Sequence, residues 1–294
     1  MAPSPSPASE DTNIYPHATG AAASLVAAHS AEHPLKLYAG WFCPFVQRAW
    51  LVLEEKRIPY QYVEINPYHK SKSFLELNPR GLVPTLGVPK STRSSNDKEK
   101  VTKPLYESTV ICEYLDEVYS DVEKHGPSLY PSDAYERARC RIWVDHICSR
   151  IVPSFYRFCQ HQPDKSYSIE EVRAEFLGHL RTFITEADEE GPFFLGKEFS
   201  MVDVMLAPWL VRLWILDHFK DGGLGMPAKG EAGSEEEEKV WNRWRMWADA
   251  VEGRRSVKET LSGREQYVDV YRRYAEDKTQ SEVAKATRSG RNLP

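Results

Sequence analysis

The 294-residue chain predicts an α/β domain followed by an all-helical one. Three observations carry this expectation. An alternating run, Leu35-Lys36-Leu37-Tyr38-Ala39, leads through Gly40-Trp41-Phe42-Cys43-Pro44-Phe45 into apolar residues at helical spacing: Val46, Ala49, Trp50, Val52 and Leu53. A second alternating run, residues 60–65, closes a strand-helix-strand stretch of about thirty residues, the size of a right-handed βαβ unit. From Ala134 onward the apolar pattern is helical throughout.

Size and composition bound the rest. The length suits two domains with substantial cores, and 41% hydrophobic residues are ordinary for a globular protein. A net charge of −5 argues against a nucleic-acid partner. No uninterrupted apolar run reaches the roughly 18–20 residues a membrane span needs, so no membrane partner is expected. Five scattered cysteines, an odd count, fit reduced thiols and a cytoplasmic location better than a secreted disulfide framework. Within residues 1–34, Met1 to Glu10 is rich in Pro, Ser and Ala and no Lys or Arg occurs, so the basic start of a targeting signal is lacking. Residues 1–34 are read as a flexible extension, with only weak helical character over residues 21–28.

The elements then follow in order. After the strand at 60–65, Asn66-Pro67 marks a turn, and residues 70–77 form a short, weakly helical connection. Asn78-Pro79-Arg80-Gly81 turns the chain into Leu82-Val83-Pro84-Thr85-Leu86. Pro84 has no N–H for a strand ladder, which leaves an edge strand, a bulge or a cis bond. Residues 90–103 are polar without periodicity and read as a long hairpin loop. Pro104-Leu105-Tyr106 resumes the sheet, and Glu107-Ser108 opens an amphipathic helix through Val110, Ile111, Tyr114, Leu115 and Val118. Residues 126–133 read as the linker.

In the second half, helices are expected over 137–158 and 172–187. Ser200-Met201-Val202-Asp203 forms a Ser-x-x-Asp capping box at the start of an apolar helix over 204–216. The acidic run Glu235 to Glu238 opens a helix bearing Trp241, Trp244 and Trp247, and reads as a solvated face rather than a metal site. The charged last thirty or so residues read as an exposed helix or tail.

Cys43 is the residue around which the chemistry gathers. It stands between a strand and a helix whose first-turn N–H groups and dipole favour negative charge, and Pro44 suits the first helical position. A thiol there ionises more readily than a free cysteine at roughly 8.5, although most free cysteines are inert packing groups. Val46 occupies the place of a second cysteine, so Cys43 needs an external thiol to complete any disulfide cycle. Ser108 lies at another helix start, where its simplest role is a cap. Cys140, His146 and Cys148 lack zinc spacing, so no metal is expected.

Taken together, Cys43-Pro44-Phe45, the stretch from Asn78 to Leu86, Leu105-Tyr106-Glu107-Ser108 and the Ser200/Asp203 box follow a thioredoxin-like order joined to a helical domain. The arrangement resembles the cytosolic glutathione transferases, and Cys-Pro-Phe resembles their omega class in particular. The resemblance implies a thioredoxin-like glutathione-binding domain at 35–122, a linker at 123–132 and an all-helical cosubstrate domain at 133–265, while the flexible extension at 1–34 and the C-terminal extension at 266–294 depart from the family pattern. It implies that Cys43 is the catalytic cysteine, forming a mixed disulfide with glutathione. Val83, before a cis Pro84, would pair its backbone with the cysteinyl part. Glu107 and Ser108 would hold the γ-glutamyl end, Lys70 the glycine carboxylate, and Phe45 would wall the site. Arg212 matches a position lining the cosubstrate pocket, with Trp209 nearby.

The implied activity is that of a thioltransferase and dehydroascorbate reductase, with weak conjugation of electrophiles. Glutathione would be the cosubstrate, a small electrophilic, disulfide or glutathionylated compound its partner, and the protein a homodimer without metal. The Cys-Pro-aromatic motif and long C-terminal tail also resemble glutathionyl-hydroquinone reductases, which usually carry Trp where Phe45 stands. A further alternative is a non-catalytic binder of glutathione or hydrophobic ligands on the same fold.

Overall fold

The computed structural model describes residues 14–91 and 100–293, and the chain divides into two units. The first comprises Tyr15–Ser128 together with Arg255–Gln266. Its elements are α1 (Gly20–Ala28), β1 (Lys36–Ala39), α2 (Pro44–Glu55), β2 (Gln61–Glu64), α3 (Lys72–Leu77), β3 (Thr85–Ser91), β4 (Lys100–Leu105), α4 (Ser108–Val118) and α5 (Val122–His125), with the later helix α12 (Arg255–Glu259). The sheet order is β2-β1-β3-β4. β1 and β2 run parallel, Lys36 opposite Gln61 and Ala39 opposite Glu64, as the βαβ reading requires. β3 is antiparallel to both β1 and β4. This is the expected thioredoxin-like α/β domain.

Helix α2 buries every residue from Val46 to Leu53 and packs on α4, whose Ile111, Cys112 and Leu115 are fully buried. Lys56 and Asp116 are buried between these helices as an ion pair at 2.8 Å. Ser128 Oγ donates to the second carboxylate oxygen at 2.7 Å, and Lys56 Nζ also reaches Pro127 O at 3.3 Å. With its partners satisfied, the pair is tolerated without water. The expected linker is therefore stitched to the first unit through Pro127 and Ser128.

Two features of this unit differ from the expectation. Residues 14–34 are not a loose extension: α1 buries Ala22 completely, and Ala22 N–H donates to Leu261 O at 3.1 Å. Thr19 bonds Ser262 Oγ, Gly263 N and Gln266 Oε1, while Tyr62 N–H donates to His29 O. Small side chains let α1 approach segment 255–266 closely, so its partners come from more than 200 residues away in sequence. Residues 255–265 thereby join the first unit rather than the helical domain. The expected loop at 90–103 is also shorter, because β3 and β4 pair out to Ser91 opposite Lys100. Its centre, residues 92–99, and residues 1–13 lie outside the described residues.

The second unit, Leu129–Arg254 with Tyr267–Pro294, is helical. It holds α6 (Ala134–His146), α7 (Val152–Cys159), α8 (Ile169–Thr185), α9 (Met201–Leu210), α10 (Trp214–Phe219), α11 (Glu235–Gly253), most of α13 (Arg264–Ala275) and α14 (Glu282–Arg288). The helix expected at 137–158 exists but passes through a π turn at Ile147–Ile151. Pro153 follows that turn and has no N–H to return to the preceding turn, which a widened turn accommodates. The helix expected at 204–216 ends at Leu210, two residues after Pro208, and restarts at Trp214.

The capping box is present and deeply set. Asp203 is fully buried, accepting from Ser200 N at 2.8 Å, Ser200 Oγ at 2.6 Å, Phe194 N at 2.9 Å and Trp247 Nε1 at 2.7 Å. The C-terminal extension, expected to be exposed, is folded. Tyr267, Val270, Tyr271 and Tyr274 form a buried helical stripe on α13. Lys220 Nζ and Gln162 Nε2 both donate to Ala275 O, at 2.9 and 2.6 Å. Asp277 pairs with Lys165 and Arg288. The stripe is made of tyrosines among charges, so mean hydropathy conceals it.

Candidate functional site

β1 delivers the chain to the turn Gly40–Cys43, closed by Cys43 N donating to Gly40 O at 3.0 Å. Cys43 has extended backbone at the N-cap of α2, Pro44 takes the first helical position, and Gln47 N returns to Cys43 O at 3.1 Å. The sulfur is half-buried and points to Val83 O, 3.9 Å away, rather than to the first-turn N–H groups. Among the three readings left open for Pro84, the structure has the cis bond, immediately before β3.

The turn ahead of Val83 explains the Asn78-to-Thr85 pattern. Asn78 is fully buried, its Nδ2 donating to Thr85 Oγ1 at 2.8 Å and Leu82 O at 3.3 Å. Gly81 has φ +63, and a Cβ there would sit 2.9 Å from Lys70 Cδ. Only glycine suits both the backbone and the Lys70 side chain lying across it.

At the same end of the sheet, where the end of β4 lies beside the start of β3, Glu107 caps α4 with φ 70 and pairs its carboxylate with Arg80. Arg80 also lies 5.3 Å over the Tyr106 ring. Ser108 is the first residue of α4 and is buried; its Oγ accepts from Arg48 Nη1 at 3.3 Å. Arg48, 2% exposed, sits 5.5 Å over the Phe45 ring. This guanidinium physically joins Phe45 to Ser108, a role not read from the sequence. The available signal was a charged residue inside the apolar face of α2.

The structure thus gathers Cys43, Phe45, Lys70, Val83, Pro84, Glu107 and Ser108 in the first unit. Trp209 and Arg212 belong to the other. Trp209 is fully buried, and Arg212, 1% exposed, is occupied by Pro208 O at 2.5 Å, Tyr267 OH at 3.3 Å and the Tyr267 ring at 4.8 Å. Those contacts tie Arg212 to Tyr267 of the C-terminal extension. A cavity of about 750 Å³ in the helical unit is lined by residues including His161, Lys165, Tyr167, Phe219 and Lys220. Among the described residues no cluster of His, Cys, Asp and Glu is arranged to hold a metal. No helix among them is long and apolar enough to cross a membrane.

Comparison with known proteins agrees with this architecture. Residues 42–118 match the family described as Glutathione S-transferase, N-terminal domain, and residues 166–250 the family described as Glutathione S-transferase, C-terminal domain. Glutathione S-transferase omega-1 of Sus scrofa is 36% identical over 188 residues, covering 63% of this chain and 70% of the relative. Pyrimidodiazepine synthase of Drosophila melanogaster is 32% identical over 183 residues, covering 62% and 66%. The crystal structure of glutathione transferase Omega 3C from Trametes versicolor superposes with a TM-score of 0.69 at 40% identity, covering 85% of this chain and 99% of that one. With its thioredoxin-like sheet, its Cys-Pro-Phe helix start and its helical second unit, the chain belongs to the glutathione S-transferases, as an omega-like member.

Proposed function

We propose that this enzyme is a glutathione-dependent thioltransferase with dehydroascorbate-reductase-like activity, in which Cys43 carries the chemistry. The observation that supports it is the placement of Cys43 at the N-cap of α2, half-exposed and beside Val83 O. In the thiol form its proton points at Val83 O. Once ionised it has none to give, and the first-turn N–H groups of α2 are the donors open to it.

The cycle needs one protein thiol. The Cys43 thiolate attacks the glutathione sulfur of a mixed disulfide; the Cys43–glutathione bond forms as the bond to the acceptor breaks, and the acceptor leaves as a thiolate that takes up a proton. A second glutathione, as thiolate, attacks the sulfur bound to Cys43, releasing glutathione disulfide and restoring Cys43. In this reading Ser108 receives the γ-glutamyl carboxylate at the start of α4, with the Arg48 charge behind it, and Glu107 takes the amino group. Lys70 meets the glycine carboxylate, Val83 pairs with the cysteinyl backbone and Phe45 walls the sulfur. The reading also takes the protein as a homodimer, which sedimentation velocity tests.

The test is glutathione-dependent reduction of a small mixed disulfide by the wild type and by Cys43→Ser. The variant is expected to lose about a thousandfold or more of the turnover. Equal rates in the two proteins overturn the assignment.

A further inference from the structure

Trp41 lies two residues before Cys43 and is gripped from two sides. Its main-chain N–H donates to Glu64 Oε1 at 3.2 Å, at the end of β2. Its indole Nε1–H donates to Tyr15 O at 2.8 Å, in the segment preceding α1. The turn is drawn tightly onto β2: Ile65 N–H donates to Ala39 O at 2.7 Å, and a Cβ on Gly40 would stand 3.2 Å from Ile65 O. The grip therefore joins three pieces: the N-terminal segment, the end of β2 and the turn that carries Cys43.

Glu64 is an unusual residue for this place. It is a largely buried carboxylate whose contacts are main-chain N–H groups, Trp41 at hydrogen-bond distance and Ala18 near enough to favour its charged form. No hydrogen bond closes on its second oxygen among the described residues. The elements packed around it carry Lys36 and Tyr38 on β1, Tyr15 and His17 on the N-terminal segment, and Cys43 on the turn. No charged side chain offsets its burial, which pushes its carboxyl up to about 7, with the two N–H groups pulling the other way.

We propose that Glu64 is a positioning residue for Cys43, and that its charge state sets how firmly the Gly40–Cys43 turn is held. The proposal rests on the reading of Cys43 as the reactive thiol. An ionised Glu64 accepts a charge-assisted hydrogen bond from Trp41 N–H, about twice as strong as the neutral bond that remains after protonation. The N-terminal segment, read from sequence as a loose extension, becomes the outer half of this clamp through Tyr15.

The first test uses the wild type alone. Backbone amide resonances of Trp41 and Ala18 are followed from pH 5 to 9, and are expected to shift together with a midpoint near 7. Amides that stay still, or shift with a midpoint near the ordinary 4.5, overturn the proposal. The second test compares iodoacetamide labelling of Cys43 in the wild type and Glu64→Gln. Gln keeps an acceptor for Trp41 and removes the charge. The wild-type-to-variant ratio of rates is expected to depart from one by about three- to tenfold as pH rises through 7. A ratio that is flat with pH overturns the role of Glu64, even with Cys43 fully reactive. Labelling that persists unchanged in Cys43→Ser overturns the reading of Cys43 instead, so the two failures are distinguishable.

Discussion

Cys43 and Cys159 are the same residue type in two units, and their surroundings differ sharply. Cys43 stands at the beginning of α2, half-exposed, with a helix N-terminus before it. Cys159 is the last residue of α7 and has no exposure at all; burial pushes its thiol up to about 12, despite the nearby Lys220 ammonium. The proposed mechanism needs a thiolate at the helix start, which the helix dipole favours, and none at the dry helix end. In that account reactivity is a property of position in the fold.

Substitutions can break this comparison or sharpen it. Cys43→Ser has the largest expected effect, a loss of about a thousandfold or more in glutathione-dependent turnover. In the helical unit the counterpart is a residue whose loss unfolds rather than inactivates. Asp203→Ala leaves four donors unpaired around a buried gap and is expected to cost about 3–4 kcal/mol in urea denaturation. Turnover per folded molecule should stay within about twofold of wild type.

Glu64 gives a pH-dependent difference. Its folded-state pKa of about 7 lies above its ordinary 4.5, so the folded protein holds the extra proton between those values. The stability it contributes is full below pH 4.5 and is lost as pH rises through 7. Relative to Glu64→Gln, the wild type is expected to lose up to about 3 kcal/mol between pH 4.5 and 8 in chemical denaturation, since each pKa unit is worth about 1.4 kcal/mol. Under the proposal, ionisation of Glu64 holds the Gly40–Cys43 turn while weakening the fold, a trade often seen at active sites.

Ser108→Ala removes one hydroxyl from the proposed γ-glutamyl end and is expected to raise KM for glutathione about five- to tenfold with little change in kcat. Cys159→Ser has the smallest expected effect, turnover within about twofold of wild type. A large loss there would remove the contrast between the two thiols.

The parts of this molecule legible in the sequence are those whose partners are close in the chain. Cys43 and Pro44 announce a helix start because strand alternation changes to helical spacing around them. Ser200 and Asp203 announce another through a three-residue interval, although nothing local shows that Trp247 and Phe194 complete the Asp203 cage. Asn78 and Thr85 frame the turn before Val83 within eight residues. The contacts that were not legible are long-range. Thr19 finds Gly263, and Ala22 finds Leu261, across more than 200 residues. Those pairings turned an expected loose end into a packed helix. Arg48 was not read as part of the site, and it lies buried between Phe45 and Ser108. The tyrosines of α13 were hidden by the charges between them. Arg212 was assigned by resemblance to a ligand pocket, and its observed partner, Tyr267, lies in that same overlooked helix.

The most direct test of the central claim is to expose the protein to a small glutathionylated disulfide with no free glutathione present, then weigh it and map the adduct by mass spectrometry. The account predicts one glutathione per chain, on Cys43, released when glutathione is added. An adduct on Cys148 or another cysteine, or none at all, would contradict it.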